Sequence, residues 1–132
     1  MAGSLSVFFA AGALGALANS LVAWSFGELG VARALGVAIQ PELSPAWLYP
    51  RIVWGGLWGG LFVLPLSGQT WLRRGLILSL GPTLVQLLVV FPARGAGVLG
   101  LVLGVATPLL VLVLNGAWGL VASWWVANVR GS

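Results

Sequence analysis

The chain has 132 residues, of which 60% are hydrophobic and 6% charged, with a mean hydropathy of +1.08. A soluble domain carries about 25% charged residues, so this composition excludes a water-facing surface and makes lipid the solvent of a single domain. The net charge of +4 comes from six arginines against two glutamates, and the arginines stand singly or as one pair near the ends of apolar runs. That placement suits membrane boundaries and excludes a phosphate-tracking patch for nucleic acid.

Cysteine, histidine and aspartate are absent. Disulfides, thiolate chemistry, a protein metal site and a Ser-His-Asp arrangement are therefore out of reach. There is also no phosphate loop and no paired carboxylate, since Glu28 and Glu42 fall in a boundary loop. The expectation is a non-enzymatic protein with no cofactor and no metal.

In chain order, the first apolar run, residues 5–26, is long enough to cross a hydrocarbon core of about 30 Å. No Lys or Arg precedes it, so it reads as a retained span rather than a cleaved leader. Ala11, Gly15, Asn19, Ala23 and Gly27 recur every four residues and form a close-packing stripe with one amide near mid-depth. Residues 27–46 hold both acids, and Leu29, Leu35 and Ile39 around Arg33 predict a short interfacial helix. Pro41, Pro45 and Pro50 are expected to break any continuous helix there.

The second span, residues 47–66, carries two overlapping small-xxx-small pairs, Gly55 with Gly59 and Gly56 with Gly60. In water each glycine costs a helix about 1 kcal/mol relative to Ala, whereas in a bilayer it lets a neighbouring helix approach. Arg51 at the mouth of this span is expected to snorkel to the headgroups or to pair with Glu42, with an anion or headgroup contact as the sharper reading.

The third span, residues 76–91, follows a short polar turn bearing Arg73-Arg74 and is interrupted by Gly81-Pro82. Ser79, Thr83 and Gln86 share one face. A proline-broken helix with such a face is either a solute site or a kink tolerated by nearby hydroxyls. The run from Leu99 to Val126 is too long for one simple span, so it either begins in the interface and turns at Pro108 or is strongly tilted. The fourth span is placed over residues 105–126, where Asn115, Gly119 and Ser123 repeat the small-polar stripe beside Trp118.

The two halves resemble each other. Asn19-Ser20-Leu21-Val22 aligns with Pro82-Thr83-Leu84-Val85, Leu35-Gly36-Val37-Ala38 with Leu103-Gly104-Val105-Ala106, and Gly56-Leu57-Trp58-Gly59 with Gly116-Ala117-Trp118-Gly119. The offset moves from 63 to 68 and back to 60, as loops of different length require. The expected fold is an all-α integral membrane protein. Its four transmembrane helices form a compact bundle of two parallel two-helix repeats, with a short interfacial helix between the first two spans.

Two functional expectations follow. In the first, an accessory or self-associating subunit docks other transmembrane helices, or its own copies, through Gly15, Gly55, Gly56, Gly59, Gly60 and Gly119. In the second, an oligomeric channel or carrier passes a small uncharged, anionic or hydrophobic solute along an intramembrane polar cluster of Asn19, Thr83, Gln86 and Asn115. The first is preferred, and the two differ in whether the amides converge on a cavity or lie buried between helices. The expected setting is a bacterial inner membrane, with lipid as a partner. Both termini are placed in the cytoplasm because the Arg73-Arg74 pair sits in a short loop and the acids lie opposite.

Overall fold

The computed structural model describes residues 2–38, 41–64 and 70–130, with side chains from 4 to 129 within those segments. All regular structure among them is helical. Helix α1 (Ala2–Glu28) ends at Gly30, whose left-handed backbone (φ 78°) starts the one-turn helix α2 (Val31–Ala34). Only this single turn of the expected interfacial helix forms within the described residues; Ile39, its expected last apolar position, lies outside them.

Helix α3 (Pro45–Trp58) begins where the Ser44 hydroxyl accepts from the Trp47 amide at 3.3 Å and Pro45 takes the first helical position. It continues across Pro50, so that proline does not break it. From Gly59 to Val63 the backbone tightens into a 3₁₀ helix. The expected second span is therefore a 14-residue α-helix plus a five-residue 3₁₀ segment, together about 31 Å long. Residues 65–69, which include the expected end of that span and the start of the polar turn, lie outside the described part.

Helix α4 (Trp71–Ala93) is longer than expected because Thr70 caps it, its hydroxyl accepting from the Arg73 amide at 3.2 Å. It absorbs Pro82 and contains a π-helical turn over Gln86–Val90. A turn-rich link leads to helix α5 (Thr107–Arg130), which starts beside Pro108 as anticipated. Three helices, Ser4–Glu28, Trp71–Ala93 and Thr107–Val129, are long and apolar enough to cross a membrane, which fits a membrane protein.

The long helices alternate in direction. Phe8 stacks near Phe62 (ring centroids 6.3 Å apart), and the Ser123 hydroxyl donates to the Trp71 carbonyl at 2.6 Å. The chain's beginning, the α3–α4 connection and the end of α5 therefore share one end. At the other end the two remaining connections meet, with the Ala38 amide donating to the Leu103 carbonyl at 2.8 Å. A Cβ on Gly104 would overlap the Gly36 carbonyl there.

In cross-section α1 packs on both α3 and α5, and α5 packs on α4. Glycine permits each contact. A Cβ on Gly12 would overlap the Gly55 carbonyl and the Gly59 backbone, and a Cβ on Gly75 would overlap the Gly119 carbonyl. Between α1 and α5, Gly15 receives the backbone and ring of Trp118, whose Nε1 donates to the Gly12 carbonyl at 3.0 Å. Helices α3 and α4, though consecutive, meet mainly near their connection. There Arg74 Nη2 donates to the Phe62 carbonyl at 2.6 Å and Leu61 covers Gly81. Farther from that connection, Trp54 and Trp58 of α3 and Pro82, Val85 and Gln86 of α4 line a crevice.

Candidate functional site

The crevice is built around Arg51. Its Nε donates to Ser20 Oγ at 2.9 Å and its Nη2 to Asn19 Oδ1 at 2.8 Å. The guanidinium lies 4.6 Å from the ring centroid of Trp47, one helical turn earlier on α3, a cation–π contact. Arg51 thus turns inward onto α1 and makes no ion pair among the described residues, while Glu42 is exposed. The expected pairing with Glu42 is not formed, because the face of α3 that carries Arg51 packs against the part of α1 that presents Asn19 and Ser20.

From Arg51 a one-way relay crosses the bundle. A guanidinium has only donors, so Asn19 must turn its oxygen to it and its amide nitrogen away. Asn19 Nδ2 donates to Asn115 Oδ1 at 3.0 Å, and Asn115 Nδ2 donates to Thr83 Oγ1 at 3.1 Å. Thr83 in turn donates to the Ser79 carbonyl at 2.8 Å, and Ser79 donates to the Leu76 carbonyl at 2.7 Å. Four helices are tied together by this one chain of polarised bonds.

Three of the four residues expected to form an intramembrane polar cluster, Asn19, Thr83 and Asn115, are members of the relay. Gln86 lies beside it. Its side chain makes no hydrogen bond with the described residues and lines both cavities that flank the relay. One cavity, of about 150 Å³, is walled by Ala16, Trp54, Trp58, Pro82, Val85 and Trp118 in addition to the relay. The other, of about 190 Å³, lies toward Pro41, Trp47, Phe91, Val111 and Leu114. Asn19, Arg51, Gln86 and Asn115 border both. Counted from the helix ends, these four residues lie about 9–14 Å inside the bundle.

The candidate docking glycines are placed differently from one another. Gly55 and Gly59 face α1, Gly15 and Gly119 face α5 and α4 respectively, and Gly56 faces Phe9. Only Gly60 of that set has open space where a Cβ would stand.

Sequence reasoning missed Ser20 and Trp47 as partners of Arg51, and Gly12 and Gly75 as contact glycines. A signal for two of them was present. Gly12, Ala16 and Ser20 form a second four-residue stripe on α1, one position round from the stripe of Ala11, Gly15 and Asn19. The first faces α3 and the other runs toward α5. Trp54, half of a tryptophan pair on α3, points outward at 64% exposure, whereas Trp118 is a core residue at 3%.

No protein-family model matches this sequence, and comparison with curated proteins and with solved structures finds none similar to it.

Proposed function

We propose that this chain is a non-enzymatic integral membrane protein that binds a small solute in the crevice between α3 and α4, as a carrier or channel subunit would. The observation that carries the reading is the convergence of Arg51, Asn19, Asn115 and Gln86 on two adjoining cavities. Polar and ionisable groups at such depth are costly and mark transport pathways and ligand sites. The proposal takes four crossings, with α3 and its 3₁₀ extension as the second, and both termini on the cytoplasmic side together with Arg73-Arg74, which fall in the first turn of α4 rather than in the expected loop.

The same proposal takes the two halves as parallel repeats. Gly12 against Gly59 and Gly75 against Gly119 are equivalent contacts at the offsets already seen, 63 on the first helix of each half and 60 on the second. Ser20 and Thr83, likewise 63 apart, both accept within the polar cluster. Four helices enclose little volume, so passage across the membrane calls for an oligomer.

The docking reading draws support from one observation, the open Gly60 among exposed Leu57, Val63 and Leu64. Native mass spectrometry of the particle extracted in its own lipid separates the two. A stoichiometric small-molecule adduct that is lost in Asn115→Leu supports binding in the crevice. Co-purification with larger, different subunits and no adduct overturns it in favour of docking.

A further inference from the structure

Among the described residues Arg51 has no carboxylate partner, and both glutamates of the chain are exposed. The guanidinium carries five N–H groups. Two are engaged, by Ser20 and Asn19, and the others remain available at the border of both cavities. The relay cannot neutralise the cation. It presents only oxygens to Arg51 and passes the polarisation away from it, with no net negative charge at its far end. A cation held among helices without a counter-charge attracts an anion that can meet a planar fork of donors, which a carboxylate or phosphate oxygen pair does well. Gln86, with an uncommitted amide on the same two cavities, offers a further donor to such a head.

The remaining walls are apolar and aromatic, and the space is small. A cavity of about 150 Å³ accommodates a molecule of roughly benzene size. It holds a head and its first carbons, not a whole lipid. Beyond the contact of Leu61 with Gly81, the cavity wall includes the exposed Trp54 and the part-exposed Val90, and the rest of a chain can leave sideways past them into the hydrocarbon.

We infer that the crevice binds an acidic single-chain amphiphile, its oxyanion head held by Arg51 and Gln86 and its tail leaving through the seam between α3 and α4. This rests on the reading of the crevice as a solute site and names the solute's class. The oxyanion could come from the lipid phase, as in a fatty acid, or from water as a small free anion. The sideways gap and the tryptophan-lined wall favour the lipid phase.

The test is native mass spectrometry of the full chain in a neutral maltoside detergent, with three probes. Oleate has head and tail, oleyl alcohol has the tail without the charge, and acetate and inorganic phosphate have the charge without the tail. The expected result is a one-to-one oleate adduct favoured over oleyl alcohol by about tenfold or more, with no acetate or phosphate adduct. Arg51→Gln abolishes that preference. Gln86→Leu, which leaves the relay intact, weakens oleate several-fold, keeps helicity, and serves if Arg51→Gln fails to fold. Equal binding of oleate and oleyl alcohol overturns the anionic head while leaving the crevice reading standing. Acetate or phosphate binding as well as oleate overturns the tail and the lipid source. Failure of every probe overturns the crevice reading itself.

Discussion

Two seams of the bundle invite comparison. Under the proposed repeat, the seam between α1 and α5 and the seam between α4 and α3 join equivalent pairs of helices, yet the first is closed and the second gapes. Trp118 seats in the first against Gly15 and donates to the Gly12 carbonyl. Its counterpart Trp58 stays half-buried and lines the crevice. The difference traces to the opposing helix. Where α1 offers Ala11, Gly12 and Gly15, the positions 63 residues later on α4 are Arg74, Gly75 and Leu78. A leucine in place of the glycine notch leaves no room for a tryptophan backbone to approach, so the equivalent seam cannot close. One seam of the bundle is thereby closed, and the other holds a cavity lined from both halves.

The sharpest way to break the comparison is at the contact glycines, which hold the helix pairs regardless of seam. Gly12→Val and Gly75→Val each place a branched side chain on a neighbouring backbone. Each should cost about 3 kcal/mol, seen as loss of a monodisperse peak and a large fall in melting temperature in detergent. A tolerated Gly75→Val would separate the halves and undo their equivalence.

Trp118→Ala and Trp58→Ala come next. Removing the fully buried ring should cost about 3 kcal/mol, and removing the crevice ring about 1 kcal/mol or less. Comparable melting temperatures for the two variants would mean the seams are alike after all. A smaller effect is expected for Asn115→Leu, which deprives Asn19 of its acceptor and Thr83 of its donor. Interhelical hydrogen bonds in membranes are worth about 0.6–2 kcal/mol, so its melting temperature should fall modestly while any crevice adduct disappears. Gly60→Ala should be silent in stability, within about 0.5 kcal/mol. If it nevertheless strips a co-purifying subunit from the particle, the docking reading gains the surface it needs.

Much of this was legible in the residues. Asn19, Thr83 and Asn115 stand out as amides and hydroxyl in apolar runs, and three such groups in lipid are driven to find one another because no water competes. Their union in one relay is the outcome. Gln86 shared their pattern but not their bonding, since it falls on the π-helical turn of α4 that follows Pro82. Arg51 was legible as costly and illegible in direction, because headgroup, Glu42 and α1 were all within reach of a long side chain. The glycines were legible as packing faces, but their partners were not. Glycine marks where something approaches without stating whether it belongs to the same chain.

Sequence by itself determined the solvent, the helical class and the alternation of long apolar helices, all of which depend on composition and on hydropathy over one helix length. It also determined which polar atoms would need partners, since each unsatisfied group in hydrocarbon is expensive wherever the helix sits. Only the tertiary structure decided that Gly12 and Gly75 are consumed internally, that Trp118 is seated in its seam while Trp58 stays half-buried, and that Arg51 faces inward without a counter-charge among the described residues. Those outcomes depend on which face of one helix meets which face of another. That choice is settled by the packing of all the helices at once and is not carried by any single stretch of the chain.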